Sequence, residues 1–390
     1  MTVSADLVRG MTGVWADVVG QESTVATLQR AVAGATHAMT HAWLITGPPG
    51  SGRSNAARAF GAALQCDRGG CGECRECRTA LSGAHPDVTL VRTEKLSIGV
   101  DEVRDLVRRA AMSPTLGKHQ VIVVEDADRV TDRGGDALLK SIEEPAPKTV
   151  WLLCAPTPDD VVTTIRSRCR TLRLATPGVD AVAELLVRRD GVDPAMAAHA
   201  ARAAQGHIGR ARKLARDEGA RQRRHAVLQI PRRLTSVSAC LMTAQRLVDD
   251  CAAEAKAATE ELDAAERAEL SEALGFGTKG ARPKQASAAM KELEDQQKIR
   301  AKRFQRDALD RALTELTVYY RDVVTLQLTG AKERLVNPEL VEELSAQAQR
   351  TTPESSLRRI DALLACREAL EGNVAPLLAV EAMLIALVEA

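Results

Sequence analysis

Short apolar runs bounded by polar turns mark the first 175 residues, and longer helical periodicities fill the remainder. The runs are Ala42-Trp43-Leu44-Ile45-Thr46, Val88-Thr89-Leu90-Val91, Val121-Ile122-Val123-Val124, Val150-Trp151-Leu152-Leu153-Cys154 and a short fifth, Thr171-Leu172-Arg173-Leu174. Runs of this length between turns predict strands of a mostly parallel sheet covered on both faces by helices, an α/β domain. Helices are expected from Ser54 and around Asp136–Glu144. Strand signals stop after Pro177. A small helical lid with a break at Gly206 and Gly209 is expected over 177–220, and only helix from 221 onward. Within that last stretch, Gly275 to Pro283 reads as a loop between an acidic Ala-rich segment (Ala252–Ala273) and a long helix from about Lys284 to Thr329. The basic residues Arg221–His225 and Arg232–Arg233 suggest a solvated hinge. The expected organisation is an α/β domain at 1–176, the lid at 177–220 and an all-helical domain at 221–390.

Composition narrows the classes. At about 150 residues per domain, 390 residues suit two or three domains. Apolar residues are 45% and charged residues 27%, as in ordinary globular chains. No apolar run is long enough to span a membrane, and MTVSADLVRGMTGVW has no apolar signal core, so a soluble cytoplasmic protein without membrane partners is expected. Charge is balanced, 53 basic against 52 acidic residues, with only 3 Trp, 2 Tyr and 3 Phe. That argues against a chain living by wrapping nucleic acid or stacking bases. Five cysteines, Cys154, Cys169, Cys240, Cys251 and Cys366, are scattered as reduced core residues would be.

Three clusters carry chemistry. Gly47-Pro48-Pro49-Gly50-Ser51-Gly52-Arg53-Ser54 follows the phosphate-loop pattern G-x-x-x-x-G-K-[ST], with Arg in place of Lys, between an expected strand and an expected helix. Backbone amides of such a loop cradle phosphates at a helix N-terminus, and Ser54 would offer a hydroxyl to Mg²⁺. Arg53 can pair with phosphate, but its planar fork is bulkier than an ammonium. Whether the loop binds ATP or ADP with Mg²⁺ is left open. Glu125-Asp126 follows the third apolar run, where one carboxylate would orient the Mg²⁺ shell and its neighbour the attacking water; the plainer reading is acidic surface. Cys66-x4-Cys71-x2-Cys74-x2-Cys77, interleaved with Gly69, Gly70 and Gly72, offers four thiolates to one structural Zn²⁺, with an iron–sulfur cluster as the alternative.

Together these features resemble the AAA+ clamp-loader family, and within it the delta-prime-type chains of bacterial DNA polymerase III. The resemblance rests on Val18-Val19-Gly20-Gln21 before the loop, the cysteine module after it, His85-Pro86-Asp87 and Ile98-Gly99-Val100-Asp101-Glu102-Val103-Arg104. It also rests on Ala137-Leu138-Leu139-Lys140-Ser141-Ile142-Glu143-Glu144-Pro145 and on Thr164-Ile165-Arg166-Ser167-Arg168-Cys169. It is dense over residues 15 to 215 and thereafter rests on helical content. It implies an arginine finger at Arg168, reaching in trans to the γ-phosphate of a neighbour's ATP, and an oligomeric collar in the C-terminal helices. The implied partners are ATPase subunits of the tau/gamma type and a delta subunit, and, through the complex, the sliding clamp and primer-template DNA. The plainer reading of Arg168 is a basic residue on an exposed helix end.

Departures from the family's hydrolysing pattern are Arg53 for Lys, Glu125-Asp126 for the Asp-Glu order, and Ala155-Pro156 where a polar sensor is expected. A fourth is Gly209 at the second sensor's arginine position, with Arg210 about 100° round the helix. Asp126 is one carbon short of Glu, about 1.5 Å at a position where placement governs rate. They imply a subunit that hydrolyses ATP poorly or not at all. Two alternatives stay open: an autonomous clamp-loader ATPase using Arg53 and Asp126, and a zinc-containing DNA-binding module with a vestigial nucleotide fold.

Overall fold

The computed structural model describes residues 12–93, 97–274 and 284–389; the loop expected at 275–283 lies outside them. The chain divides into two compact units, Met1–Arg216 and Asp217–Ala390. In the first unit α1 (Glu22–Val32), β1 (Ala42–Thr46), α2 (Arg53–Gln65), α3 (Arg75–Ser82), β2 (Val88–Val91) and α4 (Val100–Ala110) come first. They are followed by β3 (Gln120–Val124), α5 (Asp132–Glu143), β4 (Thr149–Ala155), α6 (Thr163–Arg166) and β5 (Arg170–Arg173). Three further helices, α7 (Val179–Asp190), α8 (Pro194–Ala203) and α9 (Ile208–Arg216), complete it.

Each of the five apolar runs forms a strand, and all pair in parallel in the order β2-β3-β4-β1-β5. Successive residues point to opposite layers. Trp43, Ile45, Val121, Val123 and Leu152 pack with α1 and α2, while Leu44, Ile122, Val124, Trp151 and Leu153 pack with α4 and α5. With both faces covered, nothing selects polar residues at alternate positions, which is why the runs are continuously apolar. The edge strands relax the rule: β2 is only half-buried beyond Val88, and in β5 Leu172 is buried while Arg170 and Arg173 face solvent. Charged side chains on an edge strand discourage pairing with another chain. Because the strands are parallel, β1 and β3 end at the same edge of the sheet. The chain after Thr46 and the carboxylates after Val124 are thereby brought together.

The second unit holds α10 (Glu218–Leu228), α11 (Ile230–Arg233), α12 (Val237–Ala273), α13 (Lys284–Thr329), α14 (Val341–Arg350), α15 (Pro353–Glu371) and α16 (Pro376–Glu389), with no strand among the described residues. At 1.5 Å per residue, the 37 residues of α12 and 46 of α13 run about 55 and 70 Å. Leu313, Leu316, Tyr320 and Val323 of α13 centre a core with Cys240 and Leu247 of α12, Leu363 of α15 and Leu384 of α16. Farther along the α12–α13 pair, contacts turn polar: Arg300 bridges Asp263 and Glu266, and Gln297 donates to the Asp263 carbonyl at 2.9 Å.

The expectation of solvation fails at one residue of Arg221–His225. These residues lie inside α10, and Arg224 is buried, its Nε donating to Glu315 at 2.9 Å with Asn337 and Glu339 beside it. A guanidinium enclosed this far needs a carboxylate partner, and α13 supplies it. Arg232 does stay at the surface, 3.3 Å from Glu343. No described helix is long and apolar enough to cross a membrane.

Candidate functional site

The chain leaves β1, turns through Gly47–Gly52 and enters α2 at Arg53. Gly50 and Gly52 take φ of +82° and +92°, a left-handed geometry that side chains resist. The amide of Gly47 donates to the Pro156 carbonyl at 3.1 Å, tying the loop to the end of β4. Gln21, nearly buried, donates to the carbonyls of Ala175 at 2.7 Å and Ser51 at 3.4 Å, and accepts from the Ala175 amide at 3.1 Å. The Val18-Val19-Gly20-Gln21 box thus braces the loop against the segment that follows β5. The hydroxyl of Ser51 is buried with no hydrogen-bond partner among the described residues.

The charged groups expected to serve a nucleotide are engaged with the protein itself. Arg53 Nη1 donates to the Gly47 carbonyl at 2.7 Å. Glu125, buried at the end of β3, is gripped by Arg58 Nε at 2.6 Å. Asp126 accepts from the Thr93 amide at 3.3 Å and stands 4.0 Å from Arg129. Burial raises the Asp128 carboxyl above the usual range. The carboxylate that would orient Mg²⁺ is therefore neutralised by a guanidinium of the same unit. Arg58 was not among the expected residues. Its signal was available: it follows Ser54 by four positions, so both lie on one face of α2. Arg58→Ala should destabilise the first unit by about 1–3 kcal/mol by leaving a buried carboxylate unpaired, and adding Glu125→Gln should recover most of the loss. Urea unfolding of the two variants checks this; equal loss in both would contradict the pairing.

A second unanticipated side chain comes from the turn before α9. The His207 ring packs on Gly50, where a Cβ would stand 2.1 Å from its Cγ, and a Cβ on Gly52 would touch Ile208 at 3.5 Å. The amide of Ile208 donates to the Gly50 carbonyl at 3.3 Å, and the amide of Arg210 to His207 Nδ1 at 3.2 Å. Burial, then the charges of Arg210 and Arg53, push the His207 pKa down to about 4. The unfolded imidazole titrates near 6.5, so the unfolded chain takes up its proton first as pH falls. The stability held by the neutral ring is intact above pH 6.5 and is lost as pH falls through 4, about 3 kcal/mol in all. Melting curves over this range should be flatter for His207→Gln than for the unaltered chain; parallel curves would contradict the assignment. The family's pattern points to position 209, where Gly209 contributes no side chain, and gives no hint of the position two residues earlier.

Arg168 lies at the other edge of the sheet. It follows α6 and precedes β5, whose Arg170 pairs in register with Trp43 near the start of β1, whereas the phosphate loop follows the end of β1. The side chain is exposed. It forms an ion pair with Glu143 at the end of α5, and Nη1 donates to the Thr164 carbonyl at 2.8 Å and Ser167 Oγ at 3.2 Å. Exposed pairs of this kind hold by about 1 kcal/mol or less, so the guanidinium is released at little cost. Arg168 is not brought together with Gly47–Ser54, Glu125 or Asp126.

The four clustered cysteines do converge. Cys66 ends α2, Cys74 caps α3 and Cys77 lies in its first turn. All four Sγ atoms fall within 4.8 Å of one another, with Cys66 Sγ 3.7 Å from Cys71 Sγ and 3.8 Å from Cys74 Sγ. A tetrahedron with Zn–S of about 2.3 Å has S···S edges of about 3.8 Å, so the residues fit one Zn²⁺ with a closed shell. These separations are too long for disulfides. Amides of Arg68, Cys71, Cys74 and Cys77 donate to the sulfurs at 3.3–3.5 Å, as thiolates require. At Cys66 burial acts upward, but the amides of Cys71, Gly70 and Arg68 outweigh it and bring the thiol to about 6. Gly70 is fixed by crowding: a Cβ there would meet Val14 at 2.7 Å. Its carbonyl accepts from the Val14 amide at 3.0 Å, seating the knuckle on the turn Gly13–Asp17.

Comparison with known proteins finds relatives for part of the chain. A family model described as DNA polymerase III, delta subunit matches residues 20–178. DNA polymerase III subunit delta' of Pseudomonas aeruginosa is 35% identical over 195 residues, 48% of this chain and 60% of that protein. Subunit delta' of Escherichia coli K12 is 37% identical over 143 residues, 35% of this chain and 43% of that protein. Subunit gamma/tau of Mycobacterium tuberculosis H37Rv is 32% identical over 204 residues, 46% of this chain and 35% of that protein. The chain thus spans from about a third to three fifths of the length of these relatives.

Proposed function

We propose that this chain, similar through its N-terminal unit to the delta-prime clamp-loader family of DNA polymerase III, is the clamp-loader subunit that stimulates a neighbour's ATPase while hydrolysing ATP poorly or not at all itself. The observation that carries the reading is the contrast between its two arginine-bearing edges. At the phosphate loop, Arg58 neutralises Glu125 and Arg53 is spent on the Gly47 carbonyl. At the opposite edge, Arg168 is exposed and lightly held.

In the assembly, Arg168 would stabilise charge developing on the γ-phosphate of ATP bound by a tau/gamma-type subunit. The helices of 217–390 would supply a share of an oligomeric collar with the ATPase and delta subunits. Working in the cytoplasm, the complex would open the sliding clamp and close it around primer-template DNA. The four cysteines, Cys66, Cys71, Cys74 and Cys77, would hold a structural Zn²⁺, which when bound clamps the chain between α2 and α3 and takes no part in the chemistry.

Two measurements test the reading. The chain alone should show no ATP turnover above background, and Glu125→Gln should change nothing. It should co-elute with a tau/gamma-type ATPase and delta subunit. Steady turnover by the isolated chain, or no association with the ATPase, would overturn it.

A further inference from the structure

We infer that His207 is an intramolecular plug, whose ring covers the phosphate loop and keeps a nucleoside di- or triphosphate out of this chain's own site. The inference rests on the proposed function above, in which the loop no longer drives hydrolysis, and adds what closes it. Glycines in such loops leave the backbone bare so that an anion can approach it. Here the bare faces are taken. The His207 Cγ, Nδ1 and Cδ2 atoms lie 2.1–2.6 Å from where a Gly50 Cβ would stand, and Ile208 covers Gly52. The amide of Ile208, next along the chain, is spent on the Gly50 carbonyl.

What surrounds the ring is cationic. Arg53 and Arg210 both act on the imidazole, and Arg53 is turned inward to Gly47. A neutral ring offers a phosphate little, but with the ring gone, nearby cations and the first amides of α2 would be left to receive an anion. His207 and Ile208 together join α9 to the phosphate loop, and the His207 ring is the part that covers Gly50. An occluded site binds with an affinity reduced by the fraction of time it is open.

The test titrates the full-length chain with Mg²⁺ADP, following a fluorescent ADP analogue, for the unaltered chain, His207→Gly and His207→Ser. The unaltered chain should bind more weakly than about 1 mM, and the variants at least about 10-fold more tightly, as removal of a plug open a tenth of the time or less requires. If the glycine variant unfolds the lid, the serine variant keeps a polar residue too short to reach the loop. Hydrogen exchange of the unaltered chain gives an independent reading: the amides of 50–53 should be protected without nucleotide, and rapid exchange there would overturn the plug. A folded variant with unchanged affinity would overturn it too. So would weaker binding, because the ring would then be a phosphate ligand. Each of these leaves the non-hydrolysing reading intact, since that falls only to ATP turnover by the isolated chain.

Discussion

Arg168→Ala is expected to slow ATP turnover at the neighbouring subunit's site by about 10³-fold or more while the complex still assembles. The size follows from what an arginine supplied in trans does: it meets the charge that develops on the transferring phosphoryl group, in a water-poor interface where the interaction is strong. Arg168 sits just before the start of the edge strand β5, whereas its own phosphate loop follows the end of β1, so a finger at Arg168 would have to serve another chain's nucleotide. Its hold on Glu143 is an exposed pair, and Glu143→Ala should therefore alter stability by about 1 kcal/mol or less and leave turnover in place. Arg168→Lys separates charge from shape, because a lysine keeps the charge but loses the planar fork; an intermediate rate is expected. Single-turnover hydrolysis by the reconstituted complex measures all three. If Arg168→Ala hydrolyses ATP at the normal rate, the finger is elsewhere and the autonomous ATPase reading gains.

The sequence disclosed most of what is enforced by backbone and burial. The five strands were legible because a parallel sheet covered on both faces leaves continuous apolar runs, and the convergence of the four cysteines was legible because their short spacing keeps them on one turn and one helix start. The long helix α13 begins and ends where periodicity placed it. Contacts between residues distant in sequence were not legible. Arg58 meets Glu125 across 67 positions, and Arg224 meets Glu315 across 91. Composition alone cannot distinguish a buried arginine with a partner from a solvated one, which is why Arg221–His225 looked like a hinge. His207 was hidden for another reason: its role depends on an empty glycine face supplied by Gly50, and neither residue signals the other in the sequence.

Cys71→Ser/Cys74→Ser should bind no zinc, where the unaltered chain should carry one equivalent through gel filtration, and should lose about 3–5 kcal/mol of stability in the first unit. Zinc binding by small peptides is worth about 10–16 kcal/mol, most of it folding free energy, and sets the upper limit. Here α2, α3 and the sheet also share an apolar core of their own, so only the knuckle and what it covers are at stake. Trp15 reports on that cover: it is 2% exposed and its indole donates to the Gly69 carbonyl at 3.4 Å, inside the knuckle. Its emission should move to longer wavelength in the variant, while Trp43 and Trp151, fully buried in the sheet, stay unchanged. For a unit of this size the midpoint should fall by about 10 °C. The same packing argues against a multinuclear cluster. Four sulfurs within 4.8 Å of one another leave room for a single ion, whereas an iron–sulfur cluster would splay them around several metals. Elemental analysis should therefore find zinc without iron or inorganic sulfide, and a folded, metal-free chain would refute the knuckle as a zinc site.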